Sequence, residues 1–412
     1  MDTETQHDIP LDEVDFNDLS FFESGPPHVI FARMRAEAPV LWNRPTHDND
    51  GFWSLSRHAD DVAVTSDWET FSSARRGIFL REEGILPKEF TSNVFSMMDP
   101  PDHGKQRGIL AKVFTPKAVM AREPHIRAVF NSAVDQIIDR GSCDLVDDIG
   151  VRFPLAVISD MLGVPESDQH LLFKWTNTMA DTHGTPEEGM TMMGELAAYL
   201  VSLIAEKRTN PTDDLLSRLL EADVEGRKLD DMEVILHFAQ LMAGGNETTR
   251  NAFSGGVLAL LENPDQLQAL RNDPGLINSA VEEILRWHTP IMHNARTATR
   301  DVEIAGTKIS EGERVAMWRS SSNRDASVFD DADRFLIDRR NNKHFTFSGG
   351  PHYCLGNQLA RLELRICILE LLQRMPDLAL AGEAERVPNN SFHWMKKVPV
   401  SFTPGTRSPQ TV

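Results

Sequence analysis

Apolar side chains between residues 118 and 375 recur at spacings of three and four, as at Ile126, Val129, Phe130, Ala133, Val134, Ile137 and Ile138. That spacing lines one face of a helix. Prolines at positions 154, 165, 186, 211, 264, 274 and 290 cut the stretch into separate helices. The pattern predicts a long helix over residues 233–261, a short amphipathic one over 278–288 and another over 357–374. β-Prone runs are short: 40–42, 52–55, 301–304, 314–318 and parts of 387–402. The chain therefore reads as mainly α with a minor β-sheet region. Without repeats or low-complexity linkers, residues 26–412 form one domain, and 1–25 are expected to be a mobile or loosely packed lead-in.

Two stretches depart from this pattern. Residues 71–95 are broken by Gly77, Gly84 and Pro87 yet rich in Ile78, Phe79, Leu80, Ile85, Leu86, Phe90 and Phe95. An apolar loop needs something to cover, and a ligand and ordinary packing weigh equally. The second departure lies inside the long helix, where apolar runs (Val234 to Met242, Val257 to Leu261) flank Gly244, Gly245, Asn246, Glu247, Thr248 and Thr249. Each glycine there costs about 1 kcal/mol relative to alanine. A buried acid and two threonines cost more unless partnered. Thr248 can return a hydrogen bond to the Gly244 carbonyl, loosening the helix into a polar notch. A polar surface stripe at a kink explains the segment equally well.

Cys354 stands immediately before the last predicted helix, in Phe347-Ser-Gly-Gly-Pro-His-Tyr-Cys354-Leu-Gly356. A sulfur at a helix N-terminus meets partial positive charge and free N–H groups, which favour a thiolate. Gly350 and Gly356 allow close backbone approach, and Phe347 can shield the sulfur. A lone cysteine is more often an inert buried residue. The whole pattern reverses that: Phe347, Gly350, His352, Cys354 and Gly356 fill, in order, the positions of the haem-binding loop of cytochromes P-450, which this sequence resembles over nearly its whole length. Ser348 stands where the family more often has glycine.

The resemblance implies the cytochrome P-450 fold, with haem b buried between the long central helix and the cysteine loop and Cys354 as axial ligand to the iron. It implies that Gly245 lets oxygen approach and that Gly244 and Gly245 lie against the cofactor. Glu247, in place of a more frequent aspartate, would relay protons, and Thr248 would hydrogen-bond the oxygen. His103, Arg107, Arg296 and His352 match contacts to the haem propionates. Glu283 and Arg286 match a structural Glu-x-x-Arg element, with Arg334 as the expected third member. The expected substrate pocket comprises Ile78, Phe79, Leu86 and Phe95 of the apolar loop and, by family register, Ala243, Ile291, Met292, His293 and Phe392. His293 alone among them is polar, and a core-satisfied or solvent-facing ring is the better expectation for it. Gly51-Phe52-Trp53 and the segment Gly244–Asn251 look like soluble bacterial members acting on steroids, terpenoids and long or branched lipids.

Charge and cysteine content narrow the partners. A net charge of −20 disfavours nucleic acid. Three well-separated cysteines fit a reducing cytoplasm better than a disulfide framework. The acidic opening has neither the basic nor the apolar region of a signal peptide, and no apolar run suffices for a membrane span. No glycine-rich dinucleotide loop or iron–sulfur cysteine set is recognisable. A separate ferredoxin and ferredoxin reductase are therefore expected to carry electrons from NAD(P)H. Arg339, Arg340 and Lys343 form a candidate docking patch, with a solvated charge cluster as the plainer reading. The expected activity is insertion of one atom of O2 into an apolar small molecule. The rivals are a haem-thiolate sensor or binding protein that does not oxygenate, and a haem-dependent isomerase or dehydratase. Mere binding needs neither Glu247 nor Thr248, which argues against the sensor.

Overall fold

The computed structural model describes residues 3–47, 49–80, 94–180 and 185–408. Leu86, and with it most of the apolar loop, lies outside them. The helices that position the site are α1 (His58–Ser66), α2 (Asp102–Ala111), α3 (Arg152–Leu162), α4 (Asp231–Glu262), α5 (Ile277–Trp287) and α6 (Asn357–Arg374). Helix α4 runs through the centre and packs against α3, α5 and α6. It begins at a capping box: the Asp230 side chain accepts from the Glu233 N–H, and the Glu233 carboxylate accepts from the Asp230 N–H. Its middle and last turns are buried on nearly every side, which its two apolar runs require.

Among the described residues the largest sheet has the order β1–β2–β5–β4–β3, where β1 is Val40–Asn43, β2 Phe52–Leu55, β3 Phe71–Ser72, β4 His293–Ala298 and β5 Arg314–Trp318. β5 runs parallel to β2 and antiparallel to β4, with Val315 opposite Arg296. All of β4 is buried, so its alternation sends Asn294 and Arg296 to one face and His293 and Ala295 to the other.

The lead-in is not loose. Val14, Phe16, Phe21 and Phe22 are buried in a second core with Phe31 and Trp318, and the Phe16 ring lies 4.8 Å from that of Trp318. Short aromatic spacing, rather than helical or strand periodicity, holds this segment.

Glu283 and Arg286 are wholly buried and joined by two hydrogen bonds of 2.7 and 2.8 Å. Arg286 also donates to the carbonyls of Asn323, Ala332 and Arg334, leaving no guanidinium N–H idle. The third member is Arg339, whose Nε donates to Glu283 at 3.0 Å and whose side chain is 5% exposed. Arg334 was expected there, but its side chain is 66% exposed and reaches only Asp331; it contributes its backbone carbonyl alone. Arg339 is thereby also removed from the candidate docking patch. Removing one partner of a buried ion pair strands the other. We expect Arg339→Ala to destabilise by about 3–5 kcal/mol and Arg334→Ala by no more than about 0.5 kcal/mol, measured by denaturant unfolding. The reverse order would return Arg334 to the trio.

His28, His288 and His393 form a second buried polar cluster. The rings of His288 and His393 stack at 3.8 Å, and His288 Nε2 lies 3.0 Å from the His393 carbonyl oxygen. Gly255 admits this packing, since a Cβ there would lie 2.1 Å from the His288 ring. Burial, with Arg386 nearby, holds all three imidazoles below their usual range, His288 at about 3. The unfolded chain takes up these protons near pH 6.5 and the folded chain does not, so acidification favours unfolding. Each such histidine contributes a slope of up to about 1.4 kcal/mol per pH unit below pH 6.5. The melting temperature of His288→Gln should therefore fall less steeply between pH 6.5 and about 4 than that of the native chain. Parallel slopes would show that His288 is not among the groups responsible.

Candidate active site

The cysteine loop is held by its own backbone. The Ser348 N–H donates to the Phe345 carbonyl at 2.9 Å, Tyr353 to Gly350 at 3.1 Å, and Cys354 to Phe347 at 2.9 Å. Gly350 sits at φ +61°, and a Cβ there would lie 2.1 Å from the Thr65 carbonyl of α1, so both conformation and space demand glycine. The Asn357 amide opens α6 by donating to the Cys354 carbonyl at 2.7 Å. The Arg361 guanidinium covers the Phe347 ring at 4.5 Å.

Between α4 and this loop lies a cavity of about 290 Å³. Cys354 lines it from within the interior. Burial raises the pKa of its thiol, while the Gly356 N–H, Arg319, Arg107 and Arg361 pull the other way. One end of the cavity gathers His103, Arg107, Arg296, Arg319 and His352. The rings of His103 and His352 are 4.2 Å apart. Arg296 and Arg319 are buried, which lowers both to about 10. Arg296 donates to its own neighbour's carbonyl at Ala295, and Arg319 to Asn294 and the Thr346 carbonyl. His103 Nε2 and Arg319 Nε are buried without partners. The one acid among the described lining residues is Glu363. Its carboxyl accepts from Thr249 at 3.1 Å, and burial raises it to about 8, so it offers these cations no neutralising charge at neutral pH.

A wall of arginines and histidines without an anion, opposite a buried thiol and beside apolar surface, fits a flat apolar dianion that carries a metal. Haem b, with two propionates and an iron, meets that description. His103, Arg107, Arg296, Arg319 and His352 would hold the propionates and Cys354 the iron.

On the far wall Thr248 Oγ donates to the Gly244 carbonyl at 2.9 Å, as the sequence predicts, and both residues line the cavity. Gly244 has open space where a Cβ would be, whereas a Cβ on Gly245 would press on Ile158 at 2.9 Å. Glu247 does not line the cavity. It is buried behind α4 against Arg250, which in turn lies over the Trp394 ring. Its Oε1 has no partner, and burial raises it to about 7 against the pull of Arg250.

Of the expected pocket residues, Ile78, Phe95 and Ile291 line the cavity. Met292 and His293 do not: Met292 belongs to the second core, and His293 Nδ1 lies 2.8 Å from the Asn390 carbonyl oxygen with its ring on Trp318. Strand alternation turns Asn294 inward in place of His293. Phe79 is 43% exposed and outside the wall. Ala243 and Phe392 are half-buried and contribute nothing to it. Arg319, Glu363, Asn294 and Gln240 line the cavity without having been anticipated. An arginine ending the apolar strand β5 was the only sequence signal among them.

Ser348 sits at φ +61° with its Oγ buried and unpartnered, which explains why glycine is commoner there. We expect Ser348→Gly to raise stability by about 1 kcal/mol in thermal unfolding. A loss of stability would show that the hydroxyl, not the backbone, decides this position.

The cytochrome P450 family model matches residues 155–386. The chain is 35% identical over 401 residues to the steroid C26-monooxygenase of Mycobacterium tuberculosis, covering 95% of this chain and 98% of the relative. It is 35% identical over 417 residues to the methyl-branched lipid omega-hydroxylase of the same organism, covering 96% of each. A solved Mycobacterium marinum cytochrome P450 in complex with pseudoionone superimposes with a TM-score of 0.88 at 34% identity, covering 96% of this chain and 99% of that one.

Proposed function

The chain belongs to the cytochrome P450 family, whose members use haem b, and from that premise we propose that it hydroxylates an apolar small molecule of steroid, terpenoid or fatty-acid-like character. The observation that carries this reading is the convergence on one cavity of the Cys354 sulfur, the uncompensated cations and the Thr248 notch. The apolar wall made by Ile78, Phe95, Phe114, Leu241 and Ile291 suits such a substrate. So do the steroid and methyl-branched lipid named for two relatives. NAD(P)H supplies two electrons through ferredoxin reductase and ferredoxin. Three free cysteines accord with a cytoplasmic setting shared with those partners.

When bound, haem supplies the reductive cleavage of dioxygen and the transfer of one oxygen atom to the substrate, the other leaving as water. The chain's own residues do the rest. Cys354 would hold the iron through its sulfur, with the Gly356 N–H and nearby arginines favouring the thiolate. His103, Arg107, Arg296, Arg319 and His352 would hold the propionates. Gly244 leaves room beside Thr248. The Thr248 hydroxyl, anchored on the Gly244 carbonyl, can present its oxygen to the cavity and pass a proton along. Glu247, poised at about 7 with one oxygen free, can take a proton from behind α4 and release it at neutral pH.

Replacing Cys354 with Ala should abolish the thiolate-type carbon monoxide spectrum of the reduced protein. Thr248→Ala should keep that spectrum and go on consuming reductant. It should lose at least about tenfold in product per electron pair, with peroxide rising in its place. Unchanged coupling would remove Thr248 from oxygen activation. Product formed without any reductant would favour an isomerase or dehydratase.

A further inference from the structure

Two neighbouring acids on α5 serve different networks. Glu283 closes the buried trio with Arg286 and Arg339. Glu282 turns instead toward α6, where it accepts from Arg361 Nε at 2.6 Å and from Nη2 at 2.9 Å, a two-pronged ion pair. Because the Thr346 N–H donates to His344 Nδ1 at 3.3 Å, it is His344 Nε2 that carries hydrogen and donates to Glu282 at 3.0 Å. Burial alone would raise the Glu282 carboxyl, but His344 and Arg361 bring it down to about 2, so it stays an anion at neutral pH.

Arg361 carries this anchor to the cysteine loop. Its guanidinium covers the Phe347 ring at 4.5 Å, and its Nη1 donates to Asn357 Oδ1 at 2.9 Å, one helical turn away. The Asn357 amide in turn donates to the Cys354 carbonyl at 2.7 Å. The contacts from Glu282 through Arg361 and Asn357 thus end on the backbone of Cys354. Arg361 is also one of the cations that favour charge on the sulfur, with Arg319 and Arg107. Those two line the cavity, where the propionates would answer them. Arg361 does not line it and is answered by Glu282. Their side chains are only 22% and 28% exposed, so solvent screens the pair in part.

We propose that Glu282 and Arg361 are paired positioning residues for the axial sulfur: Arg361 clasps the loop and draws charge toward itself, and Glu282 limits that pull and leaves the sulfur electron-rich toward the iron. This rests on the haem-thiolate reading above and adds to it two residues that touch neither iron nor substrate.

The test measures the one-electron reduction potential of the haem-loaded full chain, which needs no turnover. A nearby cation favours the added electron and a nearby anion opposes it. Arg361→Gln should move the reduction equilibrium about three- to tenfold toward the ferric form, tenfold being about 59 mV for one electron. Glu282→Gln should move it by a similar factor toward the ferrous form. Arg361→Lys keeps the charge and should stay within about twofold of native. The double variant Glu282→Gln/Arg361→Gln loses both charges together and should also lie within about twofold. Haem content and the thiolate-type carbon monoxide spectrum show that each variant has folded with the sulfur in place. If Arg361→Gln does not hold haem, Glu282→Gln decides alone, since its amide keeps the shape of the carboxylate. Shifts of one sign in both single variants, or no shift in Glu282→Gln, overturn the pairing and leave the monooxygenase reading intact. A native chain without the thiolate-type spectrum overturns the haem-thiolate reading itself.

Discussion

Guanidinium groups from Arg107, Arg296 and Arg319 converge on the cavity that Cys354 lines; among the described residues lining it the one carboxyl, Glu363, is pushed up to about 8, and Asp99 acts on Arg296 only from outside the wall. Withdrawing cations from water is expensive unless an anion follows them in. The same holds for a thiolate at Cys354, whose burial favours the neutral thiol. One ligand relieves both costs if it brings two negative groups at one edge and a metal at its centre. The architecture around the cavity is thus electrostatically incomplete as a polypeptide. Binding free energy for the haem is correspondingly stability for the fold, since a ligand bound only by the native state shifts unfolding by mass action.

The frame that holds these cations is satisfied independently of them. Asp99 accepts from the Ser73 N–H at 2.7 Å and from the Ser72 hydroxyl, which fixes the entry to α2 and so His103 and Arg107. Arg296 and Arg319 rest on backbone carbonyls and on Asn294, all belonging to β4 or to the cysteine loop. The Glu283–Arg286–Arg339 trio, closed by the carbonyls of Asn323, Ala332 and Arg334, locks the segment that leads into that loop. Rigid placement of this kind lowers the ordering cost of ligand binding.

The parts of this arrangement that were legible in the sequence are those where a backbone constraint selects a residue type. Gly350 is such a case, because only glycine escapes both its φ and the Thr65 carbonyl. Thr248 is another, since a hydroxyl four residues after an interior glycine has few other partners inside an apolar helix. Side-chain direction in irregular segments was not legible. Arg334 and Arg339 lie five residues apart in one loop, and no periodicity says which turns inward. In β4 a shift of one residue exchanges Asn294 for His293 at the cavity, because neighbours on a strand face opposite sides. Phe16 and Phe22 looked like part of a loose lead-in because aromatic anchoring of an irregular chain leaves no repeating pattern.

Glu247 on α4 and Glu363 on α6 are both buried acids, and their surroundings differ. Glu247 sits against Arg250, which offsets its desolvation and keeps it near 7, so both of its protonation states are populated at neutral pH. Glu363 is buried on α6 with only the Thr249 hydroxyl for support, and rises to about 8. Burial thus disfavours its charge beside the cysteine loop, where an ionised carboxylate would compete with the sulfur for the nearby cations. The two acids stand on neighbouring helices, and Glu363 is bonded to Thr249, two residues beyond Glu247. The acid with a charged partner stands behind the helix, and the acid that lines the cavity has none and is held toward its neutral form. Resemblance alone pointed to Glu247 and nothing pointed to Glu363, while burial raises both.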